Sequence, residues 1–274
     1  MRRKLVIFGN CQAAALHQAI REVDQGERFD DVVLFPHMQN AEDMEASLPS
    51  YANADIILTQ DSRWWDTHPM NGRLPPTTQV IRFPPLGFFA LWPYDGAHCG
   101  PDPAWAARPR LFGYSDHLMG RLRGSIPDPA GVVSDPEERL WVYKTLNWPN
   151  TTDPERLLAF QKRYLSRQDE KIGSRIGRFV VDNARSLRLF HSINHPNQRL
   201  LKELASEVFE KLDLDVSKIW ELDLDPLAFA QVPIHPLVAD ALGLTWFVED
   251  ERYRLADARL GFEEYYRLYI ETFG

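Results

Sequence analysis

Short apolar runs alternate with longer mixed stretches over the first third of the chain. Leu5–Phe8, Val32–Phe35, Ile56–Thr59 and Val80–Phe83 are rich in Val, Ile, Leu or Phe and are bounded by polar residues or proline, the pattern of buried strands. Between the first two runs, the stretch from Gln12 towards Val23 predicts a helix, and the acidic stretch Asn40–Tyr51 predicts another. Short strands alternating with helices predict a small, mainly parallel sheet with helices on its faces. Such sheets bind ligands beyond the carboxyl ends of their strands. Cys11, Gln60-Asp61-Ser62-Arg63 and Pro84-Pro85 all fall there.

The pattern then changes. From Pro84 to about Pro109 the chain is rich in proline, glycine and aromatics, including Phe88-Phe89, Trp92-Pro93-Tyr94, His98-Cys99-Gly100 and Trp105. A long irregular stretch of this kind suits a binding loop. Beyond it helical periodicity dominates, starting with Asp116–Leu122. Ser134-Asp135-Pro136-Glu137 and Thr152-Asp153-Pro154-Glu155 each place a capping side chain before a proline at the first helical position. The second opens an amphipathic segment running towards Ser166 and on to Val181. Asn197–Leu212, Pro236–Leu242 and Glu263–Phe273 predict further helices. The expectation is one composite α/β domain over 1–274, with an α/β part at 1–115 and a mainly helical part at 116–274, predominantly helical overall.

Composition narrows the function classes. The 274 residues are 44% hydrophobic, enough for one large core, and no apolar stretch reaches the length of a membrane span. The basic start Met1-Arg2-Arg3-Lys4 precedes too few apolar residues for a secretory signal. Two cysteines, Cys11 and Cys99, make no disulfide framework, which points to the cytoplasm. A net charge of −8 argues against nucleic acid as the main partner. His98-Cys99 lacks a second pair at zinc spacing, so no metal site is expected.

Candidate chemistry begins where the first strand ends. Gly9-Asn10-Cys11-Gln12 followed by Ala13-Ala14-Ala15-Leu16 puts Cys11 at a strand-to-helix elbow, where helix N–H groups and the helix dipole favour a thiolate. Elbows of this kind present nucleophiles beside backbone oxyanion donors. Packing is the plainer reading of a cysteine near a strand end. A cysteine nucleophile needs a base. Of the eight histidines, His195 lies on Asn194-His195-Pro196-Asn197, a turn between an apolar segment and a helix, with Pro196 biasing its backbone to an extended form. It would otherwise be a hydrogen-bonded surface residue beside a cap at Asn194, and His191 is the second choice. Ser62, Arg63 and Trp64 suit an anionic ligand with an aromatic portion, or a loop with Trp64 and Trp65 packed inward. Lys144, Arg108, Arg110, Arg121 and Arg123 are further candidate phosphate contacts or solvated charges.

Gly9-Asn10-Cys11-Gln12 and Asn194-His195-Pro196, together with Phe83-Pro84-Pro85 and His235-Pro236-Leu237-Val238 before Leu242-Gly243-Leu244, resemble the WcbI family of polysaccharide-biosynthesis proteins. The resemblance runs over nearly the whole chain. It implies coenzyme A or acetyl-CoA as acyl donor and O-acetylation of a capsular sugar, sugar nucleotide or glycan, with Cys11 and His195 as a dyad. It also implies Gly9, Asn10, Gln12 and Asn194 as site neighbours. Ser62, Arg63, Trp64 and Lys144 are then the expected coenzyme A contacts. An ester or thioester hydrolase with the same dyad, and a non-catalytic coenzyme A, nucleotide or glycan binder, are the alternatives. The acceptor, the acyl group and the oligomeric state stay open.

Overall fold

Strand β1 (Arg3–Gly9) is buried along its whole apolar run. In this computed structural model it pairs with β2 (Phe29–Pro36) on one side and β3 (Ile56–Gln60) on the other, and β3 pairs with β4 (Gln79–Phe83). All pairings are parallel, in the order β2-β1-β3-β4. A central parallel strand covered on both faces shows no polar alternation, which is why Leu5–Phe8 is continuously apolar. The structure describes residues 2–95, Asp116, Leu118, 133–145 and 153–273. Apart from Asp116 and Leu118, the predicted helix Asp116–Leu122 lies outside the described residues, as do Arg121, Arg123 and the part of the aromatic loop with His98, Cys99, Trp105, Arg108 and Arg110.

Helix α1 (Cys11–Asp24) follows β1, α2 (Ala41–Ala52) follows β2, and the single turn α3 (Arg63–Asp66) follows β3. Then come α4 (Pro136–Thr145), α5 (Pro154–Ile172), α6 (Ile176–Asn183), α7 (Gln198–Leu212) and α8 (Pro236–Leu242). The chain ends with a hairpin, β5 (Tyr253–Leu255) and β6 (Ala258–Leu260), and helix α9 (Phe262–Phe273). The α/β class, the N-terminal parallel sheet and the helix-rich remainder agree with the sequence reading. The hairpin had no clear sequence signal.

One boundary differs. The amphipathic segment from Pro154 does not continue to Val181 but breaks after Ile172, where Gly173 takes a left-handed φ of 64°. Such a glycine ends a helix without steric cost. The Asp169 carboxylate then accepts from the N–H groups of Gly177 (3.0 Å) and Arg178 (2.8 Å), capping the new helix across the break. Gly177 also passes so close to the Leu165 carbonyl that a Cβ there would stand 2.6 Å from it. Helical periodicity on both sides of the break hides it from the pattern of apolar positions.

The chain folds as two compact units interleaved in sequence. The first comprises Met1–Leu86, Tyr164–Val181 and His195–Pro226; the second Gly87–Arg163, Asp182–Asn194 and Leu227–Gly274. In the first, α1 packs on β1 and β2, and α7 packs on α1 and β4. The second is built on an aromatic core of Tyr143, Phe262, Tyr265, Tyr266 and Tyr269. There Tyr143 OH donates to Asp116 Oδ2 (2.6 Å), and His235 caps α8 by accepting from the Leu237 N–H (3.2 Å).

The first unit buries a histidine among rings. His68 lies 4.6 Å from Tyr51, 5.0 Å from Phe8 and 5.2 Å from Trp65 between centroids. Its Nδ1 accepts from the Met70 N–H, and burial pushes its pKa down to about 4. The folded state therefore resists a proton that the unfolded chain takes near pH 6.5. The resulting stability is complete above that pH and is lost as pH falls through about 4. At ~1.4 kcal/mol per pKa unit the loss is about 3 kcal/mol. Replacing His68 with phenylalanine keeps the ring cluster and is expected to flatten the acid limb of a urea-midpoint curve by about that amount. An acid limb identical to the parent's excludes His68 as its source.

Candidate active site

The elbow is set by a cap and a close approach. Asn10 caps α1, its Oδ1 accepting the Gln12 N–H at 2.9 Å. Gly9 leaves no room for a side chain: a Cβ there would stand 2.9 Å from that of Ala13 and 3.1 Å from that of Gln60. With β1 and β3 this close, the chain turns directly into the helix and Cys11 becomes its first residue.

The Asn10 amide is oriented from two sides, because Oδ1 also accepts from Gln60 Nε2 at 3.2 Å. That leaves Nδ2 without a hydrogen bond among the described residues. Gln12 is fully buried and committed elsewhere. Its Nε2 donates to the Leu86 carbonyl (2.6 Å), and its Oε1 accepts from the Leu86 N–H (2.9 Å) and from Gln60 Nε2 (3.1 Å). It holds Phe83-Pro84-Pro85-Leu86 against the helix start.

Cys11 is half-buried and reduced. Burial pushes its thiol pKa up, opposed less strongly by the N–H groups of Gln12 and of Cys11 itself. The helix-start argument pointed the other way, and desolvation outweighs it. A thiol held in its protonated form near neutral pH needs a base to become a nucleophile.

His195 lies in the same unit. It forms with Pro196 a two-residue strand segment that packs against α1, the helix that Cys11 begins. The cap of α7 is Asn197, whose Oδ1 accepts the Leu200 N–H at 3.2 Å, so neither Asn194 nor His195 has that role. Asn194 is exposed and belongs by contacts to the second unit. His191 is buried in that second unit, its Nδ1 3.2 Å from Gln231 Nε2.

Cations gather at the carboxyl end of β3. Arg63 is exposed, its guanidinium 5.1 Å from the Trp64 ring centre, and it makes no ion pair among the described residues. Next to it, the fully buried carboxylate of Asp61 holds two cations that reach solvent, Arg82 from β4 and Lys171 from α5, the latter at 2.7 Å. The sequence reading named neither of these two. Their only signal is the polar pair Asp61 and Arg82 on adjacent strand ends, which becomes visible once the strand order is known. Ser62 caps nothing, and its Oγ is buried without a hydrogen bond. Trp64 is partly exposed and stacks on His37 at 5.6 Å, whereas Trp65 is buried in the core.

Lys144 belongs to the second unit, where it pairs with Glu263 at 2.7 Å. It lines a cleft of about 410 Å³ with Arg252, Glu249, Asp250, Glu263 and Glu264. Four carboxylates against two cations make a field that disfavours phosphate.

Comparison with known proteins gives two matches. A family model described as polysaccharide biosynthesis enzyme WcbI matches residues 4–217. A solved structure, described as WcbI, a novel polysaccharide biosynthesis enzyme, superposes with a TM-score of 0.75 over 100% of this chain and 90% of its own, at 20% identity. It is the native protein without a disulfide bond between coenzyme A and one of its cysteines. No curated protein sequence matches.

Proposed function

The chain belongs to the WcbI family of polysaccharide biosynthesis enzymes, and on that footing we propose that it is an acyl-CoA-dependent O-acyltransferase, most simply an acetyltransferase, acting on a sugar hydroxyl. The observation that carries the reading is the elbow itself. Cys11 opens a helix beside an Asn10 amide whose oxygen is held by the Gln12 N–H and Gln60 Nε2, and His195 sits on the segment packed against that helix. The coenzyme named with the solved structure of the same fold supports the choice of donor.

Bound acyl-CoA supplies the acyl group as a thioester. His195 takes the Cys11 proton as Sγ attacks the carbonyl carbon, which offsets the raised thiol pKa. The Cys11 N–H and Asn10 Nδ2 hold the developing oxyanion; removing one such donor typically costs ~10²–10³ in rate. His195 returns the proton to the departing coenzyme A sulfur, leaving the acyl group on Cys11 as a thioester. In the second half His195 takes the proton of the sugar hydroxyl as its oxygen attacks that thioester, then gives it to the Cys11 sulfur as the ester is released. Exchange between two thioesters is nearly isoenergetic, so a cysteine suits the first half. Arg63, Arg82 and Lys171 are the residues that would meet the phosphates, as partly exposed cations at a strand end.

The test is thermal unfolding with coenzyme A, acetyl-CoA, adenosine diphosphate and a sugar nucleotide. A ligand bound only by the native state stabilises it by about 2.7 kcal/mol at a hundredfold excess over Kd. Both coenzyme A species are expected to raise Tm, and the other two far less. Acetyl-CoA consumed at turnover rates with no sugar present would instead mark a thioesterase. No shift at millimolar coenzyme A removes the donor from the reading.

A further inference from the structure

The strand order places two polar flanks on either side of Cys11. Strand β1 ends at the elbow between β2 and β3. On the β3 and β4 side stand the cations already described. On the β2 side the chain continues from Pro36 to His37, whose backbone N–H donates to the Gly9 carbonyl at 2.9 Å. The His37 ring then stacks on Trp64, with 19° between the planes, although Trp64 follows β3. Since β1 lies between β2 and β3, this stack reaches past the end of β1, where Cys11 begins its helix.

The flank carries buried polar atoms that form no hydrogen bond among the described residues. Gln39 Oε1, which follows β2, and Ser62 Oγ, which follows β3, are buried and lack a hydrogen bond among the described residues, as does His37 Nδ1, although the His37 ring interacts with the Gly9 carbonyl. Buried polar atoms are paired in nearly all native structures, so three orphans on two strand ends around one elbow call for a partner. Their chemistry describes it. A ring nitrogen, an amide oxygen and a hydroxyl form an uncharged set of acceptors and donors, unlike the guanidinium and ammonium groups of Arg63, Arg82 and Lys171. Burial also holds the His37 pKa below its ordinary value, so the ring is neutral at neutral pH. Hydroxyl groups both donate and accept and carry no charge, and Trp64, 43% exposed beside His37 and the Arg63 guanidinium, leaves apolar surface for contact with the C–H groups of a sugar ring.

We infer that His37, Gln39 and Ser62 form the acceptor subsite, binding the hydroxyls of a neutral sugar ring beside Cys11, while the cationic flank takes the phosphates. This rests on the acyltransferase reading and locates its second substrate. It also moves Ser62 from the coenzyme to the acceptor.

The experiment is saturation-transfer NMR on the full chain saturated with coenzyme A, using glucose, galactose, mannose and N-acetylglucosamine as probes. Two conservative variants are compared with the parent. His37→Phe keeps the stack on Trp64 and removes the ring nitrogens, and Gln39→Met keeps the side-chain length without the amide. The expected result is transfer to at least one sugar in the parent, reduced at least fivefold in both variants, with the coenzyme A thermal shift unchanged in all three. Transfer that persists in both variants, or no transfer to any probe while coenzyme A binds, overturns the subsite. If coenzyme A itself gives no thermal shift, the donor reading fails. The sugar signals, recorded also without it, then decide the subsite by the same comparison of parent and variants.

Discussion

Replacing Cys11 with serine is expected to lower acetyl transfer to a sugar by more than ~10³-fold while the coenzyme A thermal shift survives. The serine hydroxyl occupies the same elbow but is a far weaker nucleophile than a thiolate, and groups acting as a unit lose most of their effect when one is removed. His195→Ala is expected to cost ~10²–10⁴-fold, the usual contribution of a positioned general base. The asymmetry is informative, because the buried Cys11 thiol has its pKa raised and depends on a proton acceptor. In the His195→Ala enzyme, activity should therefore recover as pH rises towards the thiol pKa, a recovery that Cys11→Ser cannot show. Single-turnover transfer from labelled acetyl-CoA, with mass spectrometry of the Cys11 peptide, measures both. Parent-like rates in either variant exclude the dyad, and transfer without an acylated Cys11 peptide assigns the chemistry to His195 acting directly on the sugar.

The second large effect concerns Gln12. Gln12→Met is expected to lower stability by about 3 kcal/mol, because it leaves the Leu86 N–H and C=O unpaired in a buried place. Each such orphan costs ~1–3 kcal/mol. Glutamine is suited to this position because one carboxamide donates to a peptide carbonyl and accepts from the adjacent peptide N–H, as the bonds to Leu86 show. Gln12→Glu retains the acceptor but not the donor and places a charge in a fully buried position, so it should be no better tolerated. Urea midpoints of the three proteins check this. A loss below ~1 kcal/mol in Gln12→Met means that Leu86 finds other partners and that the Pro84–Leu86 segment is held by something else. The same variant should lower acetyl transfer, because Gln60 then loses one of its two acceptors and the Asn10 amide is less firmly oriented.

Gln12 also shows where reading the sequence stops. Its side chain binds Leu86, 74 positions away, and no local pattern predicts a pairing at that distance. The Cys11 thiol teaches the same lesson with its sign reversed. The helix start was legible from Gly9-Asn10-Cys11 and favours thiolate, but the desolvation that outweighs it comes from the tertiary packing around the elbow.

From residue pattern alone, the chain determines its four strands, most of its helices, the caps at Asp135 and Asp153, and the elbow that bears Cys11. These are local matters of hydrophobic period, cap chemistry and glycine, and a few neighbouring residues suffice to settle them. Only the tertiary structure decides the strand order β2-β1-β3-β4, and with it which strand ends flank Cys11. That order gathers Arg82 and Lys171 on Asp61 and stacks His37 on Trp64. The physical reason is that charge pairing, ring stacking and desolvation depend on distance in space, which sequence separation does not measure.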